Sequence, residues 1–222
     1  MNTYYANTLY PLQDKILKQI DALQTPFYLT GGTVLSRYNF HHRYSDDLDF
    51  FVNNDKQFQE LAENILRALG DYAVTVTSRS ETYYSFFIDK MLKVDLVNDI
   101  PTHIGGFITS PLFSKIDTVE NILSNKIAAV YSRDEPKDVV DIWIIATVQQ
   151  VDWKQIFQDV SSKASGIFPP LIAERLETFP VELIETVKWL PEKKPSQAIF
   201  EQDIKKIVQQ IIGPQAQETH SS

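Results

Sequence analysis

The stretch YLTGGTVLSRYNFHHRYSDDLDFFV, Tyr28 to Val52, decides how the rest of the chain is read. Phe27–Thr30 is short, apolar and followed by Gly31–Gly32, the pattern of a buried strand entering a tight turn. Val34 to Tyr38 has helical composition, with Thr33 near its start. Leu48, Phe50 and Val52 alternate with Asp47, Asp49 and Phe51, which predicts a strand with one apolar face and a carboxylate pair on the other. Two like charges on one strand face are unfavourable unless a cation lies between them. Mg²⁺ suits such oxygens and completes its shell with water or substrate phosphate. Metals held this way can activate an attacking hydroxyl and neutralise a leaving pyrophosphate. The Gly31–Gly32–Thr33 turn offers backbone N–H groups that larger side chains would block, and a helix opening after it adds a dipole favourable to anions.

Working outward, a third carboxylate, Asp95, stands in the apolar setting KVDLV and could join the pair from a neighbouring strand. Leu9, Leu12, Ile16, Ile20 and Leu23 recur at helical spacing before Pro26. Lys56 to Leu69 reads as a helix ended by Gly70, and Ala73–Thr77, Tyr83–Ile88 and Leu92–Val97 read as strands. Asp89–Lys90 sits where a two-residue hairpin turn belongs. Tyr83, Tyr84, Phe86 and Phe87 read as sheet core. Asp99 to Ser114, with two prolines and two glycines, reads as loop. From Val119 the pattern is helical, with candidates at Val119–Tyr131, Asp138–Gln149, Trp153–Ser162, Pro170–Thr178, Val181–Trp189 and Ser196–Ile211. The expected division is an α/β part over 1–115, a helical part over 116–212 and a disordered tail over 213–222.

Composition narrows the function classes. The apolar share of 43% supports a real core, and the absence of cysteine removes disulfides, thiolate metal sites and cysteine nucleophiles. No leader pattern and no apolar run of membrane length is visible, so a soluble cytoplasmic protein with no membrane partner is expected. A net charge of −8 argues against a dominant nucleic-acid surface and leaves room only for a local patch.

Taken singly, these signals are weak. Asp-x-Asp at a strand end usually caps a turn, Gly-Gly usually just turns the chain, and a lone aspartate is usually a surface charge. In combination they are specific: strand, Gly-Gly-Thr, helix, Asp-x-Asp fifteen residues after Gly32, then apolar–Asp–apolar. The arrangement resembles the nucleotidyltransferase superfamily, of DNA polymerase β type. Within it the sequence is similar to the AbiEii/AbiGii-type toxin nucleotidyltransferases, through LTGGTVLSRY, HRYSDDLDFFV, KVDLV and SNKIAAVYSRDEPKDVVDIWII.

The resemblance implies an α+β (mixed α/β) fold: a small mixed sheet flanked by helices, followed by a helical C-terminal bundle. It implies Mg²⁺ and a nucleoside triphosphate. Asp47 and Asp49 would be metal ligands, and Asp95 a third ligand or the base for the acceptor hydroxyl. Gly31, Gly32 and Thr33 would meet the triphosphate. Arg43 and Ser45 would order the loop or touch the nucleotide, Lys126 would bind phosphate, and Asp141 would close the last motif. The implied reaction is nucleotide transfer from an NTP to an acceptor hydroxyl with release of pyrophosphate, in a toxin or phage-defence setting. RNA, such as a tRNA end, is the favoured acceptor, and a cognate antitoxin a candidate partner. A protein or antibiotic acceptor, or a nucleotide-binding module without catalysis, are the alternatives.

Overall fold

A computed structural model describes residues 3–100 and 103–213. The chain divides into two compact units, Met1–Thr118 and Val119–Ser222. The expected tail, apart from Gly213, lies outside the described residues, as do Pro101 and Thr102 of the expected loop.

The first unit is mixed α/β. Five strands, β1 (Tyr28–Thr30), β2 (Asp47–Asn53), β3 (Val74–Arg79), β4 (Tyr83–Ile88) and β5 (Leu92–Asp99), form one sheet in the order β1-β2-β5-β4-β3. All pairs are antiparallel except β2 with β5. That parallel pair requires a long crossover, which carries α3 (Phe58–Ala68) and the β3–β4 hairpin. Side chains alternate across the sheet. Leu48, Phe50, Val52, Val94, Leu96, Tyr84 and Phe86 are buried on one face. Phe58 of α3 joins that core, edge-on to Phe27 and Tyr84 with ring centres 6.0 and 5.7 Å apart. Only alternate members of the expected aromatic cluster are core, therefore. Tyr83 and Phe87 are half-buried on the opposite face.

The N-terminal helix is α1 (Tyr10–Ala22), preceded by a π-helical turn at Tyr5–Leu9. The helix after β1 starts at Gly31, earlier than the expected Val34. It runs as α2 (Gly31–Val34) directly into a π-helical turn, Leu35–Asn39. Gly31 has φ +73°, and this left-handed conformation lets the helix begin without an intervening loop. The free edge of β1 is covered by the chain at Lys115–Asp117, where Leu29 N donates to Lys115 O and Asp117 N to Leu29 O, each at 2.9 Å.

The second unit is helical: α4 (Val119–Ser132), α5 (Pro136–Val148), α6 (Trp153–Lys163), α7 (Pro169–Glu177) and α8 (Gln197–Ile212). The expected helix over Val181–Trp189 is a shorter 3₁₀ segment, Val181–Thr186. Trp189 lies just past it and packs edge-on against Trp143, with centroids 5.9 Å apart. Among the described residues no helix is long and apolar enough to cross a membrane.

Asp89 and Lys90, with φ of +49° and +58°, are the central residues of a β-turn closed by Met91 N donating to Ile88 O at 2.9 Å. Ile88 pairs with Leu92, so the loop runs over three residues to Met91, one longer than expected. Glycine is the favoured residue at the second of these positions. Lys90→Gly is therefore expected to raise the free energy of unfolding by about 0.5–1 kcal/mol, the relief of a left-handed lysine less the added freedom of the unfolded glycine. A urea titration reads this directly, and a lowered midpoint would contradict the turn assignment.

Candidate active site

Strand register builds the site. Thr30 pairs with Asp49, Asp49 with Asp95, and Asp95 with Ser85. Register partners point to the same face, so these four side chains form one row across the sheet. Asp47 lies two residues before Asp49 on that face, level with Lys93. The three sequence-predicted carboxylates thus stand on one face, two from β2 and one from β5.

Asp47 Oδ1 accepts a hydrogen bond from Ser45 Oγ at 3.2 Å. Asp49 lies against the start of α2, so close that a Cβ on Gly31 would fall 2.6 Å from its Oδ2. Asp95 Oδ2 takes a charged hydrogen bond from Lys93 Nζ at 2.6 Å. The other oxygen, Asp95 Oδ1, is buried and has no hydrogen-bond partner, and neither has the buried Ser85 Oγ beside it. Among the described residues no group of three or more His, Cys, Asp or Glu is gathered closely enough to hold a metal ion. The carboxylates share a face without being gathered around one point. Burial disfavours the Lys93 ammonium, but the hydrogen bond and charge of Asp95, with Tyr83 and Asp49 adding, hold its pKa above the ordinary lysine value.

The polar loop before β2 is pinned from several sides. Thr33 is fully buried, and its hydroxyl donates inward to the Asp47 carbonyl oxygen at 2.5 Å, with Ser45 Oγ 2.9 Å away. The hydroxyl expected to meet phosphate therefore fastens α2 to β2. Gln13 Nε2 of α1 donates to Ser45 O at 3.2 Å. Arg43 is buried, donates to Tyr44 O at 3.0 Å, and its guanidinium lies where a Cβ on Gly32 would collide with it. Arg43 and Ser45 are thus loop-ordering residues in this structure.

Three features escaped the sequence reading. Lys93 was legible, since two residues before Asp95 on a strand means the same face. Ser85 needed the β4–β5 register. A third arrangement has no local signal at all: Asp117 accepts from Thr30 Oγ1 at 2.5 Å and lies 2.8 Å from His103 Nε2. His103 in turn packs against Tyr28 and Phe107, with centroids 4.9 and 4.3 Å apart.

In the second unit, Lys126 on α4 is only 8% exposed. Its Nζ lies 2.6 Å from Asp138 Oδ1 and 2.8 Å from Asp141 Oδ2, the two carboxylates one turn apart on α5. Arg133 Nε reaches Asp138 Oδ2 at 2.8 Å. Burial pushes the Asp138 carboxyl up, but the charges and hydrogen bonds of Lys126 and Arg133 outweigh it and hold the group below the usual carboxylate range.

A family model described as Nucleotidyl transferase AbiEii toxin, Type IV TA system, matches residues 15–219. The chain belongs to the AbiEii nucleotidyltransferase toxin family. Solved structures share its fold. MenT4, a nucleotidyltransferase toxin from Mycobacterium tuberculosis H37Rv, superposes with a TM-score of 0.63 at 17% identity, covering 94% of this chain and 84% of its own. JHP933 from Helicobacter pylori gives 0.61 at 16% identity and 97% of both chains. ANT(2")-Ia, solved in complex with adenylyl-2"-tobramycin, gives 0.52 at 15% identity, over 70% of this chain and 96% of its own. This AbiEii protein is accordingly a nucleotidyltransferase with a five-stranded mixed sheet. Such enzymes use a nucleoside triphosphate and a divalent metal. The donors on the carboxylate face are oxygens, the type a hard cation takes, and Asp95 Oδ1 is a buried acceptor with no hydrogen-bond partner among the described residues.

Lys126→Met is expected to destabilise the AbiEii protein by about 3–5 kcal/mol at neutral pH, because Asp138 and Asp141 are left buried without their shared cation. Asp138 is held low, so its contribution is present at neutral pH and is lost as pH falls through that lowered value. The gap between wild type and variant should therefore narrow below about pH 4, where carboxyls protonate. Denaturant titrations at several pH values check both points.

Proposed function

We propose that this AbiEii protein transfers a nucleotide from a nucleoside triphosphate to a hydroxyl of RNA, a tRNA end being the favoured acceptor, with release of pyrophosphate. The observation that carries this reading is the register of Asp49 against Asp95, with Asp47 on the same face and the Gly31–Gly32 helix start beside them. Asp47, Asp49 and Asp95 are the residues that would hold Mg²⁺. When bound, the metal supplies charge neutralisation at the transferring phosphate and lowers the pKa of the attacking hydroxyl.

The chain's own groups do the rest. Gly31 and Gly32 present backbone N–H groups at the positive end of α2 and its π-helical continuation, where triphosphate oxygens are stabilised. Asp95, with one oxygen unpartnered among the described residues, would take the proton of the acceptor hydroxyl. The acceptor oxygen forms a bond to the α-phosphorus as the bond to the β-phosphate bridging oxygen breaks, and the pyrophosphate carries away the electron pair. Arg43, Ser45 and Thr33 keep the loop and the start of β2 in place. Lys126 and Asp141 enter as one ion pair, so any nucleotide contact by Lys126 must draw its ammonium from Asp138 or Asp141. Family membership supports a cytoplasmic toxin–antitoxin or phage-defence setting, with a cognate antitoxin protein as partner.

The test is incubation of the purified protein with each labelled NTP, Mg²⁺ and total RNA, followed by separation of RNA, protein and small molecules. Label is expected in RNA. Label in protein or a small molecule would move the acceptor to the alternatives, and nucleotide binding without transfer would support a non-catalytic module. Asp49→Asn should lower transfer by at least roughly a hundredfold while leaving the circular dichroism spectrum unchanged, since a metal ligand and not a core residue is altered. Retained activity would remove Asp49 from its assigned role.

A further inference from the structure

The three residues just before β2 are gripped from the N-terminal side. The Tyr5 ring stacks on Tyr44, with centroids 4.0 Å apart and planes 18° from parallel. The Tyr5 hydroxyl donates to Asp46 Oδ1 at 2.5 Å. Ser45, between them, donates its backbone N–H to the Tyr10 hydroxyl at 3.4 Å, and its carbonyl accepts from Gln13 Nε2 at 3.2 Å. Tyr44, Ser45 and Asp46 are thus each held by a group from residues 5–13.

The grip is itself fixed. Tyr5 is 3% exposed and Gln13 is fully buried. Gln13 Oε1 accepts from Arg37 Nη1 at 3.1 Å, and Arg37 also pairs with Asp14 at 2.6 Å and lies 4.4 Å above the Tyr10 ring. Burial, then the hydrogen bond and charge of Asp46, push the Tyr5 phenol above its ordinary pKa, so it stays a donor at neutral pH. Tyr5 also opens the π-helical turn Tyr5–Leu9, a rare geometry that is frequent at functional sites. Tyr5, Tyr10 and Gln13 all precede residue 15, where the family match begins, so membership assigns them no role.

These contacts end on Asp47. Ser45 Oγ donates to Asp47 Oδ1 at 3.2 Å, and Asp46 supplies the peptide that enters β2. Holding Tyr44, Ser45 and Asp46 therefore sets where Asp47 leaves the backbone. A phenylalanine at position 5 would fill the same space and keep the stack. What the tyrosine adds is a bond to the residue beside Asp47.

We infer that residues 5–13 brace the active site, and that Tyr5 is a positioning residue acting through Asp46 on Asp47. This rests on the reading of Asp47 as a residue of the nucleotide-transfer site.

The experiment measures nucleotide transfer by the full chain, scored to whichever acceptor takes label. Wild type, Tyr5→Phe, Asp46→Ala and the double variant are compared, with Asp47→Asn as control. Urea titrations give the folded fraction of each, and rates are expressed per folded molecule. Tyr5→Phe is expected to lower kcat roughly tenfold while the KM for NTP stays within about twofold, the pattern of a misplaced group and not of lost binding. Asp46→Ala should match it, and the double variant should be no slower than either single one, as for two residues acting as a unit. Asp46 is only half-buried, so its variant reads the inference even where Tyr5→Phe folds poorly. A Tyr5 that serves stability alone would lower the urea midpoint and leave kcat per folded molecule unchanged. That result, or losses that simply add, overturns the inference; with Asp47→Asn inactive, the site reading stands. If Asp47→Asn transfers as well as wild type, or wild type labels nothing, the site reading fails and this inference falls with it.

Discussion

Two carboxylates facing each other across a parallel strand pair are the constraint around which the first unit is arranged. Asp49 and Asp95 are register partners on β2 and β5, and backbones in such a pair run only about 4.8 Å apart. Without compensation they repel. The chain supplies positive character from three directions. Lys93 lies on Asp95, the positive end of α2 abuts Asp49, and Ser45 donates to the neighbouring Asp47. Among the described residues one carboxylate oxygen, Asp95 Oδ1, stays unpartnered.

The tight junction between β1 and α2 follows from the same requirement. A helix can place its start against Asp49 only if the strand turns into it at once. Gly31 allows this by its positive φ, and any side chain there would strike Asp49. Gly32 leaves room for the Arg43 guanidinium. Thr33 closes the arrangement by bonding the carbonyl of Asp47. Backbone freedom, steric clearance and a single hydroxyl thus fix the distance between the Gly31–Gly32 turn and the carboxylate strand.

Much of this was legible in the sequence, and the reasons separate by range. Alternation in DLDFFV and KVDLV gave both strands and the carboxylate face, because period-two burial is a local property. The turn at Asp89–Lys90 was visible from its place between two strand patterns, but its loop runs on to Met91. Element ends were less so: the helix expected from Val34 begins at Gly31, since glycine composition reads as a turn although its φ here serves a helix start. The segment at Val181–Thr186 is 3₁₀ where apolar spacing suggested a longer α-helix, with Pro180 and Pro191 close on either side. Long-range partners were not legible. Nothing near His103 announces Asp117, and nothing near Ser85 announces Asp95. The inward turn of the Thr33 hydroxyl depends on Ser45 and Asp47, twelve and fourteen residues away.

Buried aspartates occur in both units, and their hydrogen-bond accounts distinguish them. Asp138 has Lys126 on one oxygen and Arg133 on the other. Its charge is met within the protein, which suits a clasp between α4 and α5, and removing a partner is costly because no water can replace it. Asp95 is 9% exposed, yet it has Lys93 on one oxygen and, among the described residues, nothing on the other. A protein that needed Asp95 only for stability would gain by completing that account, since an unsatisfied buried acceptor costs about 1–3 kcal/mol. Burial and residue type are alike at the two positions; what separates them is that both oxygens of Asp138 are met by cations while only one oxygen of Asp95 is.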